Sequence, residues 1–181
     1  MRGMAGFTVA ELMISLAVTG ITLSIGVPGF SSFIANQTQT NATNELVTAM
    51  TLARSEAIKQ NRFVTVCKSS DGLQCGTTND WEDGWIVFAN TNQANANTVD
   101  INETVIRAFE INSDGRSVNP DVTGLNFVAF RPTGTVNINA TWLICDSRGD
   151  LHARAVQVDR AGRARSVEVV QPGTEDPGLC S

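Results

Sequence analysis

The chain's longest apolar run lies near its start. From Phe7 to Phe30 almost every position is apolar or small, FTVAELMISLAVTGITLSIGVPGF, a run of 24 residues. About 20 suffice for a helix to cross a hydrocarbon core. Ser15, Thr19, Gly20, Thr22, Ser24 and Gly26 interrupt the run, and small residues of this kind let helices approach one another closely in lipid. Beyond Pro28 the helical reading continues to about residue 62. Within it the stretch 36–44, NQTQTNATN, is polar and poor in helix formers, which predicts a loosened segment. Helical period returns with Leu46, Met50, Ala53 and Ala57, spaced i, i+4, i+7 and i+11. Val47 and Ile58 widen this stripe, and Arg54, Glu56 and Lys59 lie off it, as expected of a helix laid on a sheet.

At Phe63 the pattern changes to that of strands. Short β-rich segments predict strands over 63–67, 84–89, 104–111, 125–130, 141–145, 152–158 and 164–170, with an Asn-rich loop at 90–102. Turn signals stand at Asp114-Gly115, Thr133-Gly134, Arg148-Gly149 and Ala161-Gly162. The expected fold class is α+β: one long helix, half membrane-spanning and half amphipathic, packed on antiparallel sheets. Neither an internal repeat nor a linker separating two soluble domains is visible. The chain divides into 1–6, a short leader; 7–30, the apolar helix; 31–62, the rest of that helix; and 63–181, a β-rich globular domain.

Composition narrows the chemistry. Lys+Arg is 13 and Asp+Glu 18, a net charge of -5, so a generally basic nucleic-acid coat is excluded while a local basic patch is not. The cations are 11 Arg and 2 Lys, and His152 is the single histidine, which excludes a multi-histidine metal site. Cys67, Cys75, Cys145 and Cys180 lack zinc-ligand spacing. Their even number suggests two disulfides and an oxidising compartment. Three pairings are possible; the turn-rich residues between Cys67 and Cys75 favour 67–75 with 145–180. No nucleophile elbow, P-loop, zinc-protease or dinucleotide fingerprint occurs, so neither an enzyme nor a cofactor is expected. His152 is read as a surface residue in a strand near Arg148, Asp150 and Arg154. Asp80, Glu82 and Asp83 lack calcium-loop spacing and read as a solvated loop. Trp81 and Trp85 read as a packing corner.

Glu11 is the anomaly. A carboxylate inside an apolar span costs about 2.5–3.5 kcal/mol, less near an end. Its setting, Gly6-Phe7-Thr8-Val9-Ala10-Glu11-Leu12, resembles the class III leader of type IV pilins and type II secretion pseudopilins, and Pro28 stands where pilins carry a helix-kinking proline. The resemblance implies cleavage after Gly6 by a prepilin peptidase, methylation of the new Phe7 amine, and a Glu11 that serves assembly. Opposite charges attract strongly in low dielectric and each alone is costly, so Glu11 of one subunit would neutralise the Phe7 amine of a neighbour.

In the globular part, Leu52-Ala53-Arg54-Ser55-Glu56-Ala57-Ile58, Trp81-Glu82-Asp83-Gly84-Trp85-Ile86-Val87-Phe88, Phe130-Arg131-Pro132-Thr133-Gly134 and the late cysteines resemble the GspH/FimT branch of minor pilins. That branch implies a role in initiating or capping a type IV pilus. The alternatives it carries are a DNA receptor for natural transformation and a pseudopilin of type II secretion. The implied partners are other major and minor pilins, the prepilin peptidase, an inner-membrane assembly platform and, for the receptor reading, DNA. The implied location is the bacterial inner membrane, with a periplasmic C-terminal domain, and then the pilus surface.

One segment stands out as a binding candidate. Asp159-Arg160-Ala161-Gly162-Arg163-Ala164-Arg165 places three arginines within six residues. Gly162 permits a tight turn, and strand alternation puts Arg163 and Arg165 on one face about 6.5–7 Å apart, close to the spacing of successive phosphates on one DNA strand. The run resembles the Gly-Arg-x-Arg motif of DNA-binding FimT-like pilins, with Arg160, Arg148 and Arg154 as helpers. The competing reading is a strand edge guarded by charge, paired with Asp159, Glu168 or a neighbouring pilin.

Overall fold

The computed structural model describes residues 6–76, 80–91, 97–110, 115–149, 152–169 and 180. One helix, α1 (Val9–Gln60), precedes eight strands: β1 (Phe63–Lys68), β2 (Gly84–Asn90), β3 (Thr104–Glu110), β4 (Ser117–Pro120), β5 (Phe127–Phe130), β6 (Ala140–Cys145), β7 (Arg154–Val158) and β8 (Ala164–Glu168). A single 3₁₀ turn, Trp81–Asp83, leads into β2. The chain forms two compact units, residues 1–38 and 39–181.

From Val9 on, the first unit is helix. Its large apolar side chains, among them Leu12, Met13, Ile14, Leu16, Val18, Ile21, Leu23, Ile25, Phe30 and Phe33, are all exposed. By length and composition this helix can cross a membrane. Its polar residues satisfy themselves within it. The hydroxyls of Ser15, Thr19, Thr22 and Ser24 donate to the carbonyls of Glu11, Ser15, Val18 and Ile21, at 2.7–2.8 Å. A hydroxyl that bonds its own helix presents little unmet polarity to lipid.

In the second unit α1 buries Ala42, Leu46, Ala49, Met50, Ala53 and Ala57, the predicted stripe extended by two alanines, while Ile58, expected to widen it, is 50% exposed. The expected loosening at 36–44 does not occur, and those residues are helical. Packing overrides the low propensity. Gln39 is 1% exposed and its Nε2–H donates to the Ile144 carbonyl at 2.9 Å. Thr43, equally buried, donates to the Gln39 carbonyl at 2.8 Å.

Two four-stranded antiparallel sheets complete this unit, in the orders β3-β2-β1-β5 and β4-β6-β7-β8. Val64, Val66, Trp85, Val87, Val128 and Phe130 of the first sheet share one core with Val118, Ala140, Trp142, Ile144, Val156 and Val158 of the second and with the helix stripe. Both favoured disulfides form, Cys67–Cys75 and Cys145–Cys180.

Several predicted boundaries move. β5 begins at Phe127, because Leu125 lies in a turn where its carbonyl accepts Trp81 Nε1–H at 2.7 Å. β7 begins at Arg154, so His152 is not in a strand; its N–H closes a turn onto the Gly149 carbonyl. β4 is not among the predicted strands; it pairs with β6 from Ser117↔Cys145 to Pro120↔Trp142. Residues 111 and 170, the predicted ends of two strands, and Asp114 and Asp150 lie outside the described residues.

Candidate functional site

The arginine segment is the hairpin turn between β7 and β8. Gly162 N–H donates to the Asp159 carbonyl at 2.8 Å, and Asp159 N–H donates to the Arg163 carbonyl at 3.2 Å. Gly162 has φ +72°, and a Cβ there would stand 2.0 Å from the carbonyl oxygen of Gly134. Gly134 tips a second turn, closed by its own N–H to the Arg131 carbonyl at 2.7 Å and by Arg131 N–H to the Thr135 carbonyl at 2.9 Å. Val136 N–H then donates to the Arg160 carbonyl at 3.1 Å, fastening the two turns together. From α1, Arg54 Nε–H donates to the Gly134 carbonyl at 3.2 Å, and Ile58 would lie 2.7 Å from a Cβ on Gly134. The end of the helix, the turn after β5 and the turn after β7 therefore meet at one place.

Four arginines on these touching segments, Arg131, Arg160, Arg163 and Arg165, are exposed. Two have partners. Arg163 stands one residue before β8 and pairs with Asp159 at 2.9 Å. Arg165 reaches across the hairpin, its Nε–H donating to Gln157 Oε1 at 3.2 Å. Asp159 is held below the ordinary aspartate range above all by the Arg163 backbone N–H; desolvation opposes this, and the Arg163 guanidinium adds a smaller lowering.

The two proposed helpers from the start of β7 are elsewhere. Arg154 opens that strand, about 13 Å from the turn at the usual rise per residue. Arg148 lies in the loop before it and is held by Asp146, with Nε–H to Oδ2 at 3.0 Å. Burial pushes the Asp146 carboxyl up, and the Arg148 bonds and charge more than reverse this, leaving it lowered. Arg131 and Arg54 were missed by sequence reasoning. Their place at the junction depends on two turns touching across 28 residues, for which no local signal exists.

At the other end of the chain, Gly6 and Phe7 precede α1 and are exposed. Thr8 and Glu11 form a capping box: Thr8 N–H donates to Glu11 Oε2 at 3.0 Å, and Glu11 N–H to Thr8 Oγ1 at 3.3 Å. The carboxylate thus supplies an acceptor to the free N–H groups of the first helical turn.

The remaining candidates are structural. Trp81 packs against Trp85 and edge-on against Trp142, with ring centroids 6.4 and 5.4 Å apart, and all three are buried. This is the expected packing corner. Glu82 is pushed up by burial and by the neighbouring Asp80 and Asp83, while Asp80 and Asp83 close the 3₁₀ turn on each other. Among the described residues no three His, Cys, Asp or Glu gather to hold a metal.

The family model described as type II transport protein GspH matches residues 42–162. The chain belongs to the GspH family. A fimbrial protein of Pseudomonas aeruginosa is 31% identical over 71 residues, 39% of this chain. The chain spans about half the length of the curated relatives it matches, 46%. The crystal structure of the P. aeruginosa type IV minor pilin FimU in space group P21 superposes with a TM-score of 0.58 at 20% identity, covering 75% of this chain and 92% of that one. The P65 form gives 0.54 at 20% identity, covering 71% and 92%. This GspH-family protein accordingly has the type IV pilin fold.

Proposed function

We propose that this GspH-family protein is a minor pilin of a type IV pilus, acting where the filament is initiated or capped. The supporting observation is a helix of uncovered apolar side chains that opens with Glu11 four residues after Phe7. The leader is removed after Gly6 by a prepilin peptidase, and the new Phe7 amine is methylated. In the inner membrane the helix is covered by lipid; in the filament its apolar surface is covered by the helices of other pilins. Assembly exchanges one apolar surrounding for another, so its cost falls on the charges. Glu11 offsets this by leaving the Thr8 N–H for the Phe7 amine of a neighbouring subunit. The assembly platform is the place of exchange.

Glu11→Leu should leave the protein in the membrane and out of sheared filaments, read by immunoblot of both fractions. Incorporation at the level of the unaltered protein would overturn the charge-pairing account. Deleting the gene separates the alternative: loss of surface pili fits the pilus role, whereas loss of secreted exoproteins with pili intact fits a type II secretion pseudopilin.

A second reading, DNA contact during natural transformation, is favoured by the exposed arginines Arg131, Arg160, Arg163 and Arg165 on two interlocked turns. Arginine suits phosphate because its planar fork donates two bonds at once. Full-length protein in detergent, titrated onto duplex DNA, should weaken with salt at a log-log slope of about -2 to -3, and Arg163→Ala with Arg165→Ala should abolish binding. No binding at low salt would leave these arginines to a neighbouring pilin.

A further inference from the structure

The triplet Asn-x-Ser/Thr occurs at Asn36, Asn41, Asn102 and Asn139. Such a triplet is an acceptor only on an accessible segment of an exported chain, and the structure separates the four. Asn36 and Asn41 lie inside α1, where the chain is held in helical turns. Asn139 is exposed, but its triplet runs into β6, an interior strand of its sheet. There Ala140 is in the core, and Thr141 N–H is bonded to Asp121. Presenting that triplet to an enzyme would require pulling the buried start of an interior strand off β7.

Asn102 is placed differently. It sits at the tip of a turn, Asp100–Glu103, closed by Glu103 N–H to the Asp100 carbonyl at 2.9 Å. Asn102 is exposed and the neighbouring Ile101 fully so. No described residue hydrogen-bonds the Asn102 amide. Thr104, the hydroxyl residue of the triplet, is exposed and is the first residue of β3, an edge strand. Lifting the first residue of an edge strand disturbs one end of one ladder, the least stable part of a sheet. Asp100 also supplies a carboxylate two residues before the asparagine, a feature absent from the other three triplets, which have Ile34, Gln39 and Asn137 there. The two disulfides belong to an oxidising compartment, and the apolar helix would keep the domain beside the bilayer that carries lipid-linked sugars.

We propose that Asn102 is a site of asparagine-linked glycosylation, by a bacterial-type oligosaccharyltransferase that reads an acidic residue two positions before the acceptor. In that step the Asn102 side-chain nitrogen attacks the anomeric carbon of a lipid-pyrophosphate-linked oligosaccharide. The C–N bond forms as the C–O bond to pyrophosphate breaks. The lipid pyrophosphate leaves with the electron pair, and the amide proton passes to a base of the transferase. No oxidant or reductant is needed. The inference requires the export that the pilus reading also assumes, and nothing else of that reading.

The test expresses the full-length chain in bacteria with such a transferase and its lipid-linked heptasaccharide, each chain carrying a C-terminal Asp-Gln-Asn-Ala-Thr acceptor as an internal reporter. Intact mass and peptide mapping should find glycan on the reporter and on the Asn102 peptide. Asn102→Gln and Thr104→Ala should each remove the second glycan, Thr104→Ser should retain it, and Asn139→Gln should change nothing. A glycosylated reporter beside a bare Asn102 would overturn the proposal, as would a second glycan that survives Asn102→Gln. A bare reporter would overturn the export on which both readings stand, whereas filament incorporation of Asn102→Gln reports on the pilus role alone.

Discussion

Gly162 shows how much one missing methyl group decides. With φ +72° and a carbonyl oxygen 2.0 Å from where Cβ would be, any side chain meets both backbone strain and a backbone clash. Left-handed strain alone costs roughly 1–2 kcal/mol. Gly162→Ala should destabilise by about 2–4 kcal/mol, whereas Arg163→Ala or Arg165→Ala, both exposed, should fall within about 0.5 kcal/mol of the parent. Thermal unfolding of the three variants tests this, and equal losses would refute the interlock. The two buttressed aspartates behave oppositely. Asp159 is held down above all by a backbone N–H whose effect exceeds desolvation, so Arg163→Ala should leave it still below the ordinary range. Asp146 is held down against burial largely by the Arg148 side chain, so Arg148→Ala should raise it above the ordinary range. Carboxyl NMR titration reads both. Because both folded values lie below the unfolded ones, their stabilisation is full above the ordinary aspartate pKa. It is lost as pH falls through the lowered values, below about pH 4.

At the scale of elements, the helix stripe and most strands were legible because their signals are local. The i, i+4, i+7 spacing from Leu46 and the β-rich runs at 63–67 and 84–89 need no distant partner to be recognised. The stretch 36–44 misled because its residues are polar and poor helix formers, yet β6 offers Gln39 a buried carbonyl. Gln39→Leu should therefore cost about 1–3 kcal/mol by leaving the Ile144 carbonyl without this donor, and hydrogen exchange should show faster opening of α1 near residue 43 than near residue 53. Uniform exchange along the helix would count against that bond. β4 escaped because Asn and Pro disfavour strands, and only its pairing with β6 makes Ser117–Pro120 extended.

For the molecule as a whole, a net charge of -5 hides an uneven distribution. Arg131, Arg160, Arg163 and Arg165 gather where the helix end and two turns meet. The turns themselves were legible; their contact, and with it the place of Arg131 and Arg54 in the site, was not. The two disulfides differ in reach. Cys67–Cys75 spans 8 residues and Cys145–Cys180 spans 35. On chain-entropy grounds their removal should cost about 2.5 and about 4 kcal/mol. Paired Cys→Ser variants compared by denaturant unfolding check the order, and a larger loss at Cys67–Cys75 would contradict it.

The longer bridge has a consequence for how this protein is cut. β7, the arginine turn and β8 all lie between Cys145 and Cys180, inside a covalent ring. Arg160 and Arg163 offer trypsin its preferred peptide bonds on an exposed hairpin. A single nick there opens the ring but releases nothing. The clipped chain should migrate as one species on a non-reducing gel and fall into two fragments only when thiol is added.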